Sequence, residues 1–430
     1  MVNEITLRIV LAVMLIAQMA GNVYDIKGAF LHGEFVNERR MHIEVPQGWE
    51  KHYPGDVLLE LLAPIYGLKQ AAYAFFIEML RIMKSMHYKR SKADPCLFYY
   101  WGMFGLVLAV CWVDDVLAVG HEKAIENLTT MLKGRIDCED TGGLTEYLGC
   151  KIDRNENELK ITQPVLVQSL KEEFNLQRVT DRGIPAEAGK ILVKCKEGNL
   201  NDQKSKTYRR GVGKLLHMMR FSRPETVNST RELSKFMTEG ASNAHFQSML
   251  EEMKYIVETP ERGWFMKPDA FWDGDPDFEF VIEGFADCGY ATDPDSRKSV
   301  SSYSVFLCGI PISVKSGQQK IVAISVTEGE RSSGTVCAQD MLYAMRIVES
   351  VKLKVKKPMK LTLDNKGAVD LAQNWTSGGR TRHSDVKEHF LRELKESGLI
   401  ETHWGPGSGN RADMLSKNVT KTQFNKFVHH

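Results

Sequence analysis

The sequence predicts an α+β chain: a first part built around a β-hairpin, then a strand-first α/β domain. Three observations carry this. The apolar run Leu106 to Val113 is broken by Asp114-Asp115 and resumes at Val116 to Val119 before Gly120, as two strands of a hairpin would. Asp181 to Lys206 is polar and Lys-rich, with Gly183, Pro185, Gly189 and Gly198, and reads as a linker. Beyond Pro268 to Phe278, a stretch rich in turn formers, β-rich segments follow at Phe280 to Phe285, Val300 to Leu307 and Ile321 to Val326.

From the start of the chain, Ile9 to Ala17 is the longest early apolar run and falls short of the ~20 residues a bilayer span needs. A signal peptide is the alternative, since Ala20-Gly21 follows, but Glu4 and Arg8 suit a buried core helix better. The expected boundaries are 1–180, 181–275 and 276–430. The middle segment is helical from Tyr208 to about Thr259, and the last is completed by helices and strands at Met359 to Leu363 and Leu399 to His403.

A chain of 430 residues, 43% hydrophobic and 26% charged, is not a disordered one. Lys plus Arg total 56 against 55 Asp plus Glu, so any nucleic-acid contact is local and not a global basic footprint. Eight scattered cysteines without a closely spaced pair read as reduced intracellular thiols rather than zinc ligands.

Adjacent carboxylates at Asp114 and Asp115, bounded by apolar strand, repel each other and lose hydration unless cations neutralise them. Taken alone, the pair is a solvated hairpin tip as easily as a metal site. Three ordered motifs alter the balance: Asp25-Ile-Lys-Gly-Ala-Phe30-Leu-His-Gly33, Tyr66-Gly-Leu-Lys-Gln70-Ala71 and Val113-Asp-Asp115. Together they resemble copia-type LTR retrotransposon Pol polyproteins, in the reverse transcriptase region. Tyr147-Leu-Gly149 and Leu233-Ser-Lys-Phe-Met237 resemble that family's primer-gripping hairpin and connecting region.

The resemblance implies a right-hand polymerase palm with incomplete fingers, and then an α/β ribonuclease H-like domain. It implies that Asp25, Asp114 and Asp115 hold two Mg2+ ions, with Mn2+ as the other candidate, for RNA-directed DNA synthesis. Phe30 would lie beneath the sugar and exclude ribonucleotides, unless it is simply a core Phe. Lys69 and Gln70, at a helix start, would face template or nucleotide phosphates, with ordinary solvation as the alternative. Trp112 stands where the family has Tyr and would seat the primer end, while Ala72, Tyr73 and Phe75 replace Pro, Arg and Trp. Only 24 residues precede Asp25, whereas the family's phosphate-binding fingers stand farther upstream, so weak primer extension is expected.

A second ordered set comprises Asp287, Ser325-Val-Thr-Glu328, Asp364-Asn365 and Ala412-Asp-Met-Leu-Ser-Lys417. It resembles the ribonuclease H domain that follows copia-type polymerases. Asp287, Glu328, Asp364 and Asp413 would then bind two Mg2+ ions for cleavage of the RNA strand in an RNA–DNA hybrid. Individually, Glu328 could be a first-turn acid and Asp364 a helix cap. Arg380 and Arg382 would touch hybrid phosphates, or simply line a solvated loop. His403 ends a strand and is given no catalytic role.

The implied partners are RNA template, DNA primer, hybrid and deoxynucleoside triphosphates, with integrase and protease portions of the same polyprotein and no membrane. The implied location is intracellular, in a cytoplasmic virus-like particle or the nucleus, with no secretion signal. The alternative is a truncated or decayed copy that binds nucleic acid, with ribonuclease H activity only or none.

Overall fold

The computed structural model describes residues 2–35, 40–53, 55, 57–176, 183–195, 198–373 and 385–428. The chain divides into two compact units, one of Met1–Met14 with Met19–Leu144 and one of Leu15–Gln18 with Thr145–His430.

In the first unit, helix α1 (Glu4–Ile16) is apolar almost all round and buries every residue from Ile9 to Ile16, as a core helix does. Its start is tied down by Asp94 Oδ2, which accepts from Asn3 N–H (3.0 Å) and Thr6 Oγ1 (2.7 Å). Among the described residues, no helix is long and apolar enough to cross a membrane.

The elements that follow are β1 (Ala20–Ile26), a 3-10 turn at Ala29–His32, α2 (Ala71–Ser85), β2 (Lys89–Arg90), β3 (Leu97–Gly102), β4 (Gly105–Trp112), β5 (Asp115–Gly120), α3 (Glu122–Lys133) and β6 (Cys138–Gly143). The strands form one antiparallel sheet in the order β2-β3-β4-β5-β1-β6. The apolar runs of β4 and β5 are buried continuously because both faces of the sheet are covered. On one face, Val107, Ala109, Cys111, Val116 and Ala118 share a core with Phe75, Met79, Ile82 and Met83 of α2 and Ile125, Leu128 and Leu132 of α3. Gly33 lets the loop after β1 press on α2, since a Cβ there would stand 2.9 Å from the Phe75 backbone nitrogen.

The second unit opens with β7 (Glu146–Tyr147), β8 (Cys150–Arg154), β9 (Leu159–Thr162), α4 (Pro164–Glu173), α5 (Asp202–Phe221), α6 (Val227–Ser234), α7 (Asn243–Glu258) and β10 (Trp264–Met266). These strands form a sheet in the order β10-β9-β8-β7. Pairing of Leu159 with Met266 ties the hairpin to chain beyond the linker, so the compact boundary falls at residue 144 and not near 180. The 181–275 helices share a core with Met414, Leu415, Val419 and Phe424.

A five-stranded mixed sheet follows. Its strands are β11 (Ile282–Gly289), β12 (Val300–Leu307), β13 (Ile310–Gln318), β14 (Met359–Leu363) and β15 (Ile400–Trp404), in the order β13-β12-β11-β14-β15. The first three are antiparallel neighbours, while β14 and β15 join in parallel. Between and after the strands come α8 (Val326–Ser350), α9 (Lys366–Gln373), α10 (Asp385–Glu396), the single turn α11 (Asp413–Ser416) and α12 (Lys421–Val428). The strand expected at Ile321 to Val326 does not form. Ile321, Val322, Ile324 and Val326 are exposed, and Ser325 caps α8, so the third strand is β13 instead.

One buried acid of this unit makes stability depend on pH. Burial pushes Glu252 up to about 8 from 4.5, against the hydrogen bond donated by Thr230 Oγ1, and its Oε2 is buried without a partner. Because its folded pKa is raised, the neutral carboxyl stabilises the fold fully below 4.5 and progressively less as pH rises to about 8. Glu252→Gln keeps the acceptor for Thr230 and cannot ionise. Its thermal midpoint is expected to exceed the parent's by a margin that widens from pH 5 to pH 8, whereas a constant margin would contradict this origin.

Candidate active sites

The first site lies where β1, β4 and β5 meet. Asp25 and Asp115 are direct partners across the β1–β5 ladder, and Trp112 faces Asp115 across β4–β5. Asp114 lies in the turn between them, its carbonyl accepting from Ile26 N–H at 2.9 Å. Val113 has φ +56°, a left-handed conformation costly for a β-branched residue and here enforced by strands on both sides of the turn. Burial raises Asp115 to about 6, with the charges of Asp114 and Asp25 adding to the shift. Three acids thus crowd one end of the sheet at an electrostatic cost that a bound cation would relieve.

The second site is built on parallel strands. Ala286 pairs with Leu363, so Asp287 and Asp364 each stand one position farther along neighbouring strands. Helix α8 brings Glu330 to them, and oxygens of Asp287, Glu330 and Asp364 lie within 4.8 Å of one another. Asp287 is 5% and Glu330 3% exposed. Burial raises Asp287 to about 6, opposed by a hydrogen bond from Ser416 and reinforced by Asp364 and Asp413. Burial raises Glu330 to about 9, reinforced by Asp287 and Asp364, and also raises Asp364. Glu330 Oε2 is buried without a hydrogen-bond partner.

Asp413, on α11, stands outside these three close-lying carboxylates, and its charge acts on Asp287 and Asp364. This turn is held against the sheet by Asn410 Nδ2 donating to the Ala286 carbonyl (2.8 Å), Ser302 Oγ donating to the Ala412 carbonyl (3.0 Å) and Ser416 Oγ donating to Asp287 Oδ2 (2.6 Å).

Residues 2–188 match the family model for reverse transcriptase (RNA-dependent DNA polymerase). That segment is similar to reverse transcriptases. Similarity extends beyond it. The chain is 29% identical over 412 residues to the retrovirus-related Pol polyprotein from transposon TNT 1-94 of Nicotiana tabacum, across 93% of this chain and 30% of that one. It is 25% identical over 428 residues to the corresponding polyprotein from transposon RE1 of Arabidopsis thaliana, across 99% of this chain and 28% of that one. A putative transposon Ty5-1 protein of Saccharomyces cerevisiae is 23% identical over 71% of this chain and 96% of its own length. The chain therefore spans about 30% of the length of the two plant polyproteins it matches. The copia-type resemblance holds over nearly the whole sequence.

In the segment that matches the reverse transcriptase model, Phe30 sits in the 3-10 turn after β1, with its ring centroid 4.5 Å from that of Tyr66. The ring also packs on the core of this unit. Gln70 is the N-cap of α2 without a side-chain bond to the helix, and Lys69 beside it is exposed. Trp112 is half-buried. Arg380 and Arg382 lie outside the described residues.

One expected ligand is corrected. Glu328 does not join the cluster: its Oε2 accepts from Ile324 N–H (2.7 Å) and its own N–H is capped by Ser325 Oγ (3.1 Å). Residues two apart on a helix face different ways, so Glu328 and Glu330 cannot share a role. Glu330 continues the buried stripe of Gly334, Cys337, Met341 and Val348, a spacing that the sequence contained. Trp404 is a further neighbour, its Nε1 donating to the Asp364 carbonyl at 3.0 Å. His403 instead lies 3.3 Å from Glu401.

Proposed function

We propose that this chain is the polymerase and ribonuclease core of a retrotransposon polyprotein. It would copy RNA into DNA at the Asp25, Asp114 and Asp115 site and cut the RNA strand of an RNA–DNA hybrid at the Asp287, Glu330, Asp364 and Asp413 site. The observation that carries the reading is the second cluster: buried carboxylates with mutually close oxygens and an unpartnered Glu330 Oε2 are an oxygen-donor set suited to a hard divalent cation. The mixed five-stranded sheet with these acids at the ends of β11 and β14 supports a ribonuclease H-like domain over 276–430.

Mg2+, or Mn2+ in its place, would supply Lewis-acid activation of a primer 3′-hydroxyl or a water and offset charge on the leaving oxygen, two ions serving each site. The chain's own residues do the positioning. Parallel strands fix Asp287 against Asp364, and Ser416 orients Asp287 by donating to its Oδ2. Trp404 braces the backbone of Asp364. In the other site the β1–β5 ladder sets Asp25 opposite Asp115, while Phe30 and Tyr66 would form a wall against the nucleotide sugar. Lys69 and Gln70 would meet phosphates at the start of α2.

The proposed substrates are an RNA template, a DNA primer, deoxynucleoside triphosphates and the resulting hybrid. Integrase and protease portions of the same polyprotein are the proposed neighbours. End-labelled RNA annealed to DNA tests the reading: cleavage is expected with Mg2+, none with chelator, and none of single-stranded RNA. Metal-independent cleavage, or no cleavage of hybrid, would contradict it.

A further inference from the structure

Among the described residues, Lys417 approaches the second acidic cluster from solvent. Lys417 Nζ lies 2.6 Å from Asp413 Oδ1, and its charge also acts on Asp287 and Asp364. The two partners differ in exposure: the Lys417 side chain is 53% exposed and that of Asp413 only 16%. The ammonium therefore reaches in from solvent to a carboxylate that is largely covered. Ser416, on the same turn, is fixed to Asp287, so the origin of the Lys417 stem is set while its far end can swing. On the inner side the situation is reversed. Asp287, Glu330 and Asp364 converge, and Glu330 Oε2 is buried without a partner.

We propose that Lys417 is a resident counter-cation at Asp413 that competes with a divalent ion for this carboxylate, so that the cluster fills in two unequal steps. The first ion is held by Asp287, Glu330 and Asp364, none of which is the ion-pair partner of Lys417 among the described residues. The second takes Asp413 only when Lys417 withdraws, which a compact, hydrated ammonium on a flexible stem does readily. An ion pair of this exposure is weak enough to be displaced. Lys417 is thus a positioning residue: it moderates repulsion in the metal-free cluster and lowers affinity for one ion. The inference rests on the reading that these acids hold divalent cations.

The test is titration of the full chain with Mn2+ alone, by calorimetry and by the paramagnetic signal of free Mn2+, for the parent, Lys417→Met, Lys417→Gln and Lys417→Arg. The polymerase acids are common to all four, so differences belong to this cluster. Removing one partly screened charge should tighten the weaker binding step on the order of tenfold in Lys417→Met and Lys417→Gln, and leave Lys417→Arg near the parent. Both neutral variants should also melt at a lower temperature without metal and gain more on its addition. An unchanged or weakened second step in the neutral variants would overturn the proposal while leaving the metal reading intact. A parent chain that binds no Mn2+ would overturn both.

Discussion

Glu330→Gln is expected to abolish Mg2+-dependent cleavage of an RNA–DNA hybrid, while Glu328→Gln keeps it. The two residues lie two positions apart on α8, yet only Glu330 brings its carboxylate within 4.8 Å of Asp287 and Asp364. Losing one preorganised electrostatic group commonly costs roughly 10²–10³ in rate, and a metal ligand should sit at or above the upper end, so a fall of ~10³-fold is expected. Glu328 works on its own helix terminus, where a first-turn carboxylate contributes about 0.3–1 kcal/mol, so its amide variant should lose only a few degrees of thermal midpoint. Initial rates on labelled hybrid, with melting curves for both variants, decide the matter. Equal losses of activity, or a larger loss in Glu328→Gln, would show that α8 presents the other acid.

The second large effect is at the end of the first unit's sheet, beside the β4–β5 turn. Asp115→Asn should lower primer extension by ~10³-fold or more relative to the parent in the same assay. The same change should raise the thermal midpoint without metal. Asp115 is raised to about 6 by burial and by Asp114 and Asp25, so its neutral form stabilises the fold below 3.8 and that contribution is lost as pH climbs to about 6. An amide evades that loss, and the stability gain should be seen at pH 7 and vanish at pH 3. Loss of activity together with gain of stability is the signature of a functional acid held in an unfavourable place. Extension retained by Asp115→Asn would remove the residue from the proposed chemistry.

Much of the first unit could be read from local pattern. The Leu106 to Val119 run forms β4 and β5 with Asp114 in their turn and Asp115 opening β5, because continuous apolar runs interrupted by two carboxylates leave few other arrangements. The pairing of Asp25 with Asp115 is a long-range register, supplied by the family resemblance and not by spacing. Segment 321–326 shows the opposite outcome. Its β-branched residues resemble a strand, but Ser325 starts a helix three residues before Glu328, and the cap overrode the propensity. The same cap distinguishes the two acids: Glu328 lies in the first turn, while Glu330 falls on the buried stripe that faces Asp287 and Asp364. The polar stretch near residue 180 marks a change of composition, while the division between compact units at residue 144 follows the β9–β10 pairing that spans that stretch.

Anomalous scattering from crystals of the full chain grown with Mn2+ tests the central claim most directly. Manganese peaks are expected in contact with carboxylate oxygens of Asp287, Glu330 and Asp364, and separately between the Asp25 and Asp115 strands. Peaks confined to other surfaces, or none at Mn2+ concentrations that support activity in related enzymes, would contradict the account.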